Sequence, residues 1–207
     1  MRQDLARLMR ERGRAGMVVI GQDRYAPAMH YCTGQRIVQG IYFRRADGHA
    51  HLIHDPMERD QAAAVGCEIS SLAQHRYRAL VDEEGSGARA FGRIIGDLTK
   101  QLGIAGPVGG HGDLDATAAW ALLNRAREVN GALEVDTALP DILTIARTTK
   151  NDDEIAAIRR ASDAVVAAWN ALIAHLGSLK PAGEHFVNGG GQPVTLGDLR
   201  ALLHREF

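Results

Sequence analysis

The residues most able to do chemistry lie in His49-Ala50-His51-Leu52-Ile53-His54. On an extended strand His49 and His51 share one face, as two imidazoles do in some metallohydrolases, while His54 points to the other. No carboxylate follows at an obvious third-ligand spacing. The three histidines therefore read as solvent-facing side chains on a hairpin arm, dispensable for folding to within about half a kcal/mol. Gly103, Gly106, Gly109, Gly110 and Gly112 suggest a phosphate loop, but they match neither G-x-G-x-x-G after a strand nor G-x-x-x-x-G-K-[ST]. They read as turn and strand glycines. Asp152-Asp153-Glu154 could attract a cation, yet acidic residues in the first turn of a long helix are expected from its dipole. No G-x-S-x-G is present, and Cys32, with His30 close in sequence, has no context that would lower its pKa. No catalytic constellation emerges.

The elements that would carry these residues alternate between strand and helix. Met17-Val18-Val19-Ile20, closed by Gly21, reads as a strand buried on both faces. Asp23 to Gly34 reads as a loop. Asp47-Gly48 between Ile41-Tyr42-Phe43 and Leu52-Ile53 signals a hairpin. Asp55-Pro56-Met57-Glu58 predicts a helix start with a cap, a proline at the first position and a capping box. After Gly66 comes a strand over Cys67 to Leu72. A helix then carries Phe91, Ile94, Ile95, Leu98 and Leu102 on one face. A short strand near Val108, a helix with Ala119, Leu122, Leu123 and Ala126 facing inward, and a strand at Leu133 to Val135 complete the pattern. This is an α/β domain with a mixed sheet flanked by helices, ending near residue 145. A form ending between Val135 and Pro140 is expected to fold alone.

Beyond the junction, Asn151 and Glu154 cap the longest helix, with Ile155, Ile158, Val165, Trp169, Leu172 and Leu176 at helical spacing. Gly177 to Pro193 reads as loose, and a short helix begins near Leu196 and has no terminating signal before Phe207. Roughly sixty residues are too few for a second α/β core, so residues 146–207 are expected to be a linker and an unfinished second domain.

Bulk composition excludes several partners. The chain is 45% hydrophobic and 24% charged with a net charge of −1, which provides no field for nucleic acid or an anionic membrane. No segment has the length of a membrane span, and the Arg-rich start lacks the apolar stretch of a signal peptide. Cys32 and Cys67 read as reduced, half-buried thiols, which with the rest predicts a cytoplasmic protein.

The junction carries a family resemblance. Ile145-Ala146-Arg147-Thr148-Thr149-Lys150-Asn151-Asp152-Asp153-Glu154-Ile155, followed by Ile158-Arg159-Arg160-Ala161, resembles the R-x-x-K-x-x-x-E-I-x-x-I-R-x-A segment of the pita-bread metallopeptidases. That family includes Xaa-Pro aminopeptidases, prolidases and creatinase. Arg147, Lys150, Glu154, Ile155, Arg159 and Ala161 fall on the matching positions, as a structural motif joining the two domains. Tyr31-Cys32-Thr33-Gly34 is similar to the family's Y-L-[TS]-G loop, with Ala28 in place of the usual Asn and Cys32 in place of Leu.

The resemblance implies a creatinase-like N-terminal domain with a ribonuclease H-like motif, followed by the first helix of an incomplete pita-bread domain. It implies a homodimeric enzyme that acts on short proline-containing peptides through two divalent ions (Mn, Co or Zn). The ions are held by two Asp, one His and two Glu downstream of the junction helix. Asp198, His204 and Glu206 lack the paired-aspartate spacing, so this chain is expected to hold no metal. Tyr31, Thr33, Gly34 and Arg36 would form a substrate-access loop, with Tyr31 alternatively a core aromatic that fixes it. Relatives that act on small metabolites and relatives that serve as non-catalytic interaction modules are the alternative readings.

Overall fold

Met17-Val18-Val19-Ile20 lies at the heart of the structure. The computed structural model describes residues 4–22 and 24–206; Met1 to Gln3 of the Arg-rich start, Asp23 at the head of the expected loop, and Phe207 fall outside them. The elements run α1 (Asp4–Glu11), β1 (Gly16–Gly21), α2 (Pro27–Thr33), β2 (Gly40–Arg45) and β3 (Ala50–His54). A 3-10 turn (Pro56–Glu58) then leads into α3 (Arg59–Ala63), β4 (Glu68–Ser71), α4 (Tyr77–Glu84), α5 (Gly87–Gln101), β5 (Gly106–Gly112) and α6 (Ala116–Val129). After these come β6 (Leu133–Val135), α7 (Ile142–Ala146), α8 (Asp152–Ser178), β7 (Lys180–Ala182), β8 (His185–Val187) and α9 (Leu196–Glu206).

Six strands form one mixed sheet in the order β4-β3-β2-β1-β5-β6. The β1-β2-β3 pairs are antiparallel and the other three pairs are parallel. Every residue of β1 is buried, because helices cover both faces. Strand alternation sends Val18, Ile20, Ile41, Phe43 and Ile53 into one core with Phe91, Ile94, Ile95 and Leu98 of α5 and Leu122 of α6. The intervening residues Met17, Val19, Tyr42 and Leu52 enter a second core with Leu5 and Met9 of α1, Met29 of α2, and Ile142, Leu143 and Ala146 of α7. The α/β class with a mixed sheet between helices is thus as the sequence indicates.

Three local expectations are corrected. The segment expected to be a loop contains α2, with Pro27 at its start and Gly34 at φ 73° ending it, where a left-handed backbone suits glycine. Asp55 does cap, accepting from the Met57 amide at 2.9 Å, but Glu58 closes no capping box. Its carboxylate instead accepts the Val38 and Gln39 amides at 2.6 and 3.1 Å, bracing the approach to β2. The stretch read as loose contains the β7–β8 hairpin.

The chain divides into two compact units, residues 1–149 and 150–207. Helix α7 belongs to the first, with Ile142, Leu143 and Ala146 each no more than 4% exposed. A cut between Val135 and Pro140 would strip these side chains from the second core, so a form ending there is not the independent domain. In the second unit α8 packs with α9, and Ala168 is its only buried residue.

Helices α5 and α6 pack with little space between them. A Cβ on Gly92 would collide with the Leu122 carbonyl, and one on Gly96 would lie 2.8 Å from Val129 Cγ1 and 2.9 Å from the Ala126 carbonyl. Gly96→Ala should therefore cost about 1–3 kcal/mol through overpacking. Gly131→Ala, where an added Cβ meets nothing within 4 Å, should be nearly neutral. Urea midpoints of the two variants check this.

Candidate functional site

Two of the three histidines, His51 and His54, are buried where the sequence alone suggested solvent, and His49 is half-buried. His51 is 7% and His54 5% exposed, because β3 is an interior strand with β4 outside it. In the β3–β4 register His51 faces Glu68 and Ile53 faces Ser70. His49 Nε2 and His51 Nδ1 lie 3.3 and 3.4 Å from the two Glu68 oxygens. His51 Nε2 is 2.7 Å from Ser70 Oγ, and His75 Nε2 is 2.8 Å from the same oxygen. His54 stands apart, its Nδ1 2.8 Å from the Asp55 carbonyl.

Glu68, His51 and Ser70 follow the acid–imidazole–hydroxyl order of a nucleophilic triad. The chemistry stops short of one. The carboxylate–imidazole separation exceeds a good hydrogen bond, and the Ser70 oxygen is shared by two imidazoles. The cluster ties β3 to β4 and to the turn that bears His75. Among the described residues no group of three or more His, Cys, Asp or Glu is placed to hold a metal ion.

Of the glycine series, Gly106, Gly109, Gly110 and Gly112 fall in strand β5, whose notable side chain is His111. Paired with Val19, it lies beside the central strand. Its Nδ1 sits 3.4 Å from Asp141, the residue that caps α7. Its Nε2 is buried without a partner and lies 3.3 Å from where a Cβ on Gly109 would be. Burial pushes His51, His75 and His111 below the ordinary histidine value of 6.5. For His51, Glu68 opposes this fall while His75 and His49 add to it; Asp97 opposes it for His75, and Asp141 and Asp136 do so for His111.

Tyr31, Thr33, Gly34 and Arg36 do not form one accessible patch. Thr33 is buried, and its hydroxyl binds the Met29 carbonyl at 2.8 Å while accepting the Gln35 amide at 3.1 Å. Gly34 is the cap of α2. Tyr31 is half-buried against the second core, and its hydroxyl lies 3.4 Å from the Ala146 carbonyl. Only Arg36 is exposed. The Tyr31–Ala146 contact brings α2 onto the end of α7, one residue before Arg147. His30 turns to the Gln35 carbonyl, 3.3 Å away. Cys32 is buried, deeper than the sequence suggested, and Cys67 is half-buried; neither forms a disulfide.

The junction motif has a local structural basis. Asn151 accepts the Glu154 amide at 2.9 Å, and Glu154 accepts the Asn151 amide at 3.0 Å, forming a capping box. Asp152 and Asp153 occupy the first turn, as the dipole favours. Ile155 is half-buried, while Arg147, Lys150, Arg159 and Ala161 are exposed. Asp198 accepts from the Thr195 amide and hydroxyl at 2.8 and 2.7 Å, a cap at the start of α9. The Glu206 side chain lies outside the described residues.

No family model matches the chain, and no curated protein matches it. Solved structures do. An X-Pro aminopeptidase from Thermotoga maritima is similar over 100% of this chain and 48% of its own, at 14% identity and TM-score 0.63. A prolidase from Thermococcus sibiricus is similar over 99% and 48%, at 14% identity and TM-score 0.62. A dipeptidase from Pyrococcus horikoshii is similar over 84% and 44%, at 16% identity and TM-score 0.59. At these identities the likeness establishes the fold. The chain spans about half the length of each of these proteins.

The buried imidazoles predict acid sensitivity. A histidine whose folded pKa is depressed leaves the unfolded chain binding more protons, so its contribution is complete above about 6.5 and is lost as pH falls toward the folded value. Melting temperature should therefore decline as pH drops from 7.5 to 5.5. His111→Gln should flatten part of that decline while lowering stability at neutral pH by about 1–3 kcal/mol. A slope unchanged by the substitution would show that His111 is not a source of the sensitivity.

Proposed function

We propose that this chain is the N-terminal region of a cytoplasmic enzyme of the Xaa-Pro aminopeptidase and prolidase type. On this reading the first unit shapes the access of short proline-containing peptides and helps to hold a homodimer. The second begins the catalytic domain. The observation that carries the reading is the fold likeness, which spans 84% to 100% of this chain and about half of each of those peptidases. The capped junction helix, at the position the family resemblance assigns to it, adds independent support.

Two divalent ions, Mn, Co or Zn, would supply the hydroxide for peptide hydrolysis in the whole enzyme. The residues described do not fit such a site. A two-metal centre needs several carboxylates and a histidine converging on one cavity, and Asp198 is committed to its cap. The reading therefore places the metal ligands in sequence beyond Phe207, and no catalytic step is assigned to residues of this chain. Arg36 and Tyr31 remain the residues proposed for the access loop, with Thr33 and Gly34 holding its backbone.

Helix α8 supports the idea that something covers the second unit. Val165, Trp169 and Ile173 are each more than half exposed on it, and Leu176 is 42% exposed. Apolar faces of this kind promote association. The 207-residue chain should sediment as dimer or larger species, whereas a form ending at Thr149 should be monomeric and folded. A strictly monomeric full chain with Trp169 fluorescence buried would contradict this.

The peptidase reading itself is tested on the same protein. Metal analysis of the purified chain, with assays on a Xaa-Pro dipeptide and tripeptide, should find neither stoichiometric metal nor turnover. Stoichiometric manganese, cobalt or zinc together with turnover would overturn the assignment of the ligands. Reading the coding sequence past Phe207 should reveal two aspartates, a histidine and two glutamates, and their absence would favour a non-catalytic module.

A further inference from the structure

We propose that the pocket between α2, the turn after α3 and the end of the β2–β3 hairpin binds a small oxyanion, a phosphate or a carboxylate, on Arg44. The pocket lies in the first unit, and the proposal does not depend on the peptidase reading. Alternation along β2 puts Tyr42 and Arg44 on the same sheet face. Arg44 pairs with Ala50 on β3, whose short side chain leaves space beside the guanidinium. Cys32, His49, Val65 and Cys67 are among the residues that line, with them, a pocket of about 380 Å³. That volume suits a small metabolite.

Arg44 is poorly paired for a partly buried cation. Its side chain is half-buried, and its charge is permanent. It donates one hydrogen bond, from Nη1 to the Tyr42 hydroxyl at 3.3 Å, and its Nε is buried with no acceptor. Among the described residues no carboxylate pairs with it. Two other arginines with a buried Nε, Arg14 and Arg125, each have a carboxylate 2.6 Å away, Asp136 and Glu84 respectively. A guanidinium withdrawn from water with unanswered N–H groups is costly, and a two-oxygen anion answers it with paired charge-assisted bonds.

The other groups in the lining are compatible with an anion. Burial raises the Cys67 thiol above its ordinary value, so at neutral pH it is a neutral group and not a thiolate. Tyr42 is likewise held as a phenol, chiefly by burial. Glu68 is the one carboxylate in the lining, and it is engaged with His49 and His51.

Titration of the full chain with inorganic phosphate, and separately with acetate, at ionic strength held constant with chloride tests the site. Backbone amide shifts should saturate and centre on Arg44 and Cys67, and the bound anion should slow alkylation of Cys67 by iodoacetamide. A response to phosphate alone assigns the site to phosphates, and a response to acetate alone to carboxylates. Arg44→Gln should weaken binding at least about tenfold, the order expected for a charge-assisted pair. Arg44→Lys, which keeps the charge without the fork, should preserve the fold and weaken binding less. Arg78→Gln, an exposed arginine on α4, should leave binding unchanged. Failure of both anions to saturate, or equal binding by Arg44→Gln, would overturn the proposal.

Discussion

The constraint on which the first unit depends is the burial of β1 on both faces. A strand whose six residues all leave water needs a helical layer on each side, since every second side chain enters a different core. Val18 and Ile20 require α5 and α6; Met17 and Val19 require α1, α2 and α7. This explains why a short helix next to the junction belongs to the first unit. Helix α7 closes the second core, and the Tyr31 hydroxyl reaches the carbonyl of its last residue. It also explains where a pocket can form. The second core covers Tyr42 and Leu52 completely, but the covering ends near the hairpin, leaving Arg44 half-buried against Cys67.

Local signals in the sequence were reliable where the physics was local. The unbroken run Met17 to Ile20, the Asp47-Gly48 turn and the reciprocal cap of Asn151 and Glu154 each depend on residues within a few positions, and each is found in the structure. Helix α2 is legible too, since Pro27 and Gly34 are start and stop signals, but the same two residues are also loop signals, and a helix of seven residues has no long apolar period to decide between them. Glu58 departs from its local signal for a different reason. The capping-box spacing was present, but amides twenty residues earlier in sequence competed for the carboxylate.

The site residues show the same division more sharply. Period-two alternation correctly put His49 and His51 on one side, facing a single glutamate, but it cannot distinguish a solvated face from one covered by a neighbouring strand. The burial of His51 follows from β4, which pairs with β3 only in three dimensions. Thr33 likewise looked available in the sequence, while its hydroxyl caps the last turn of its own helix. The Arg44 pocket was invisible in the sequence. It depends on the absence of a carboxylate partner, and that absence is a property of the folded arrangement.

Residues 1–149 should form one cooperative unit built on β1, whereas α8, in its own unit, buries only Ala168. Amide hydrogen exchange on the full chain measures this directly, because protection reports the free energy of the opening that exposes each amide. Amides of β1, β2 and β5 should exchange slowest and at a common limit set by global unfolding. Amides of α8 beyond its first turn should exchange faster by orders of magnitude. Protection of α8 equal to that of β1 would contradict the account, since it would mean that the two units unfold as one.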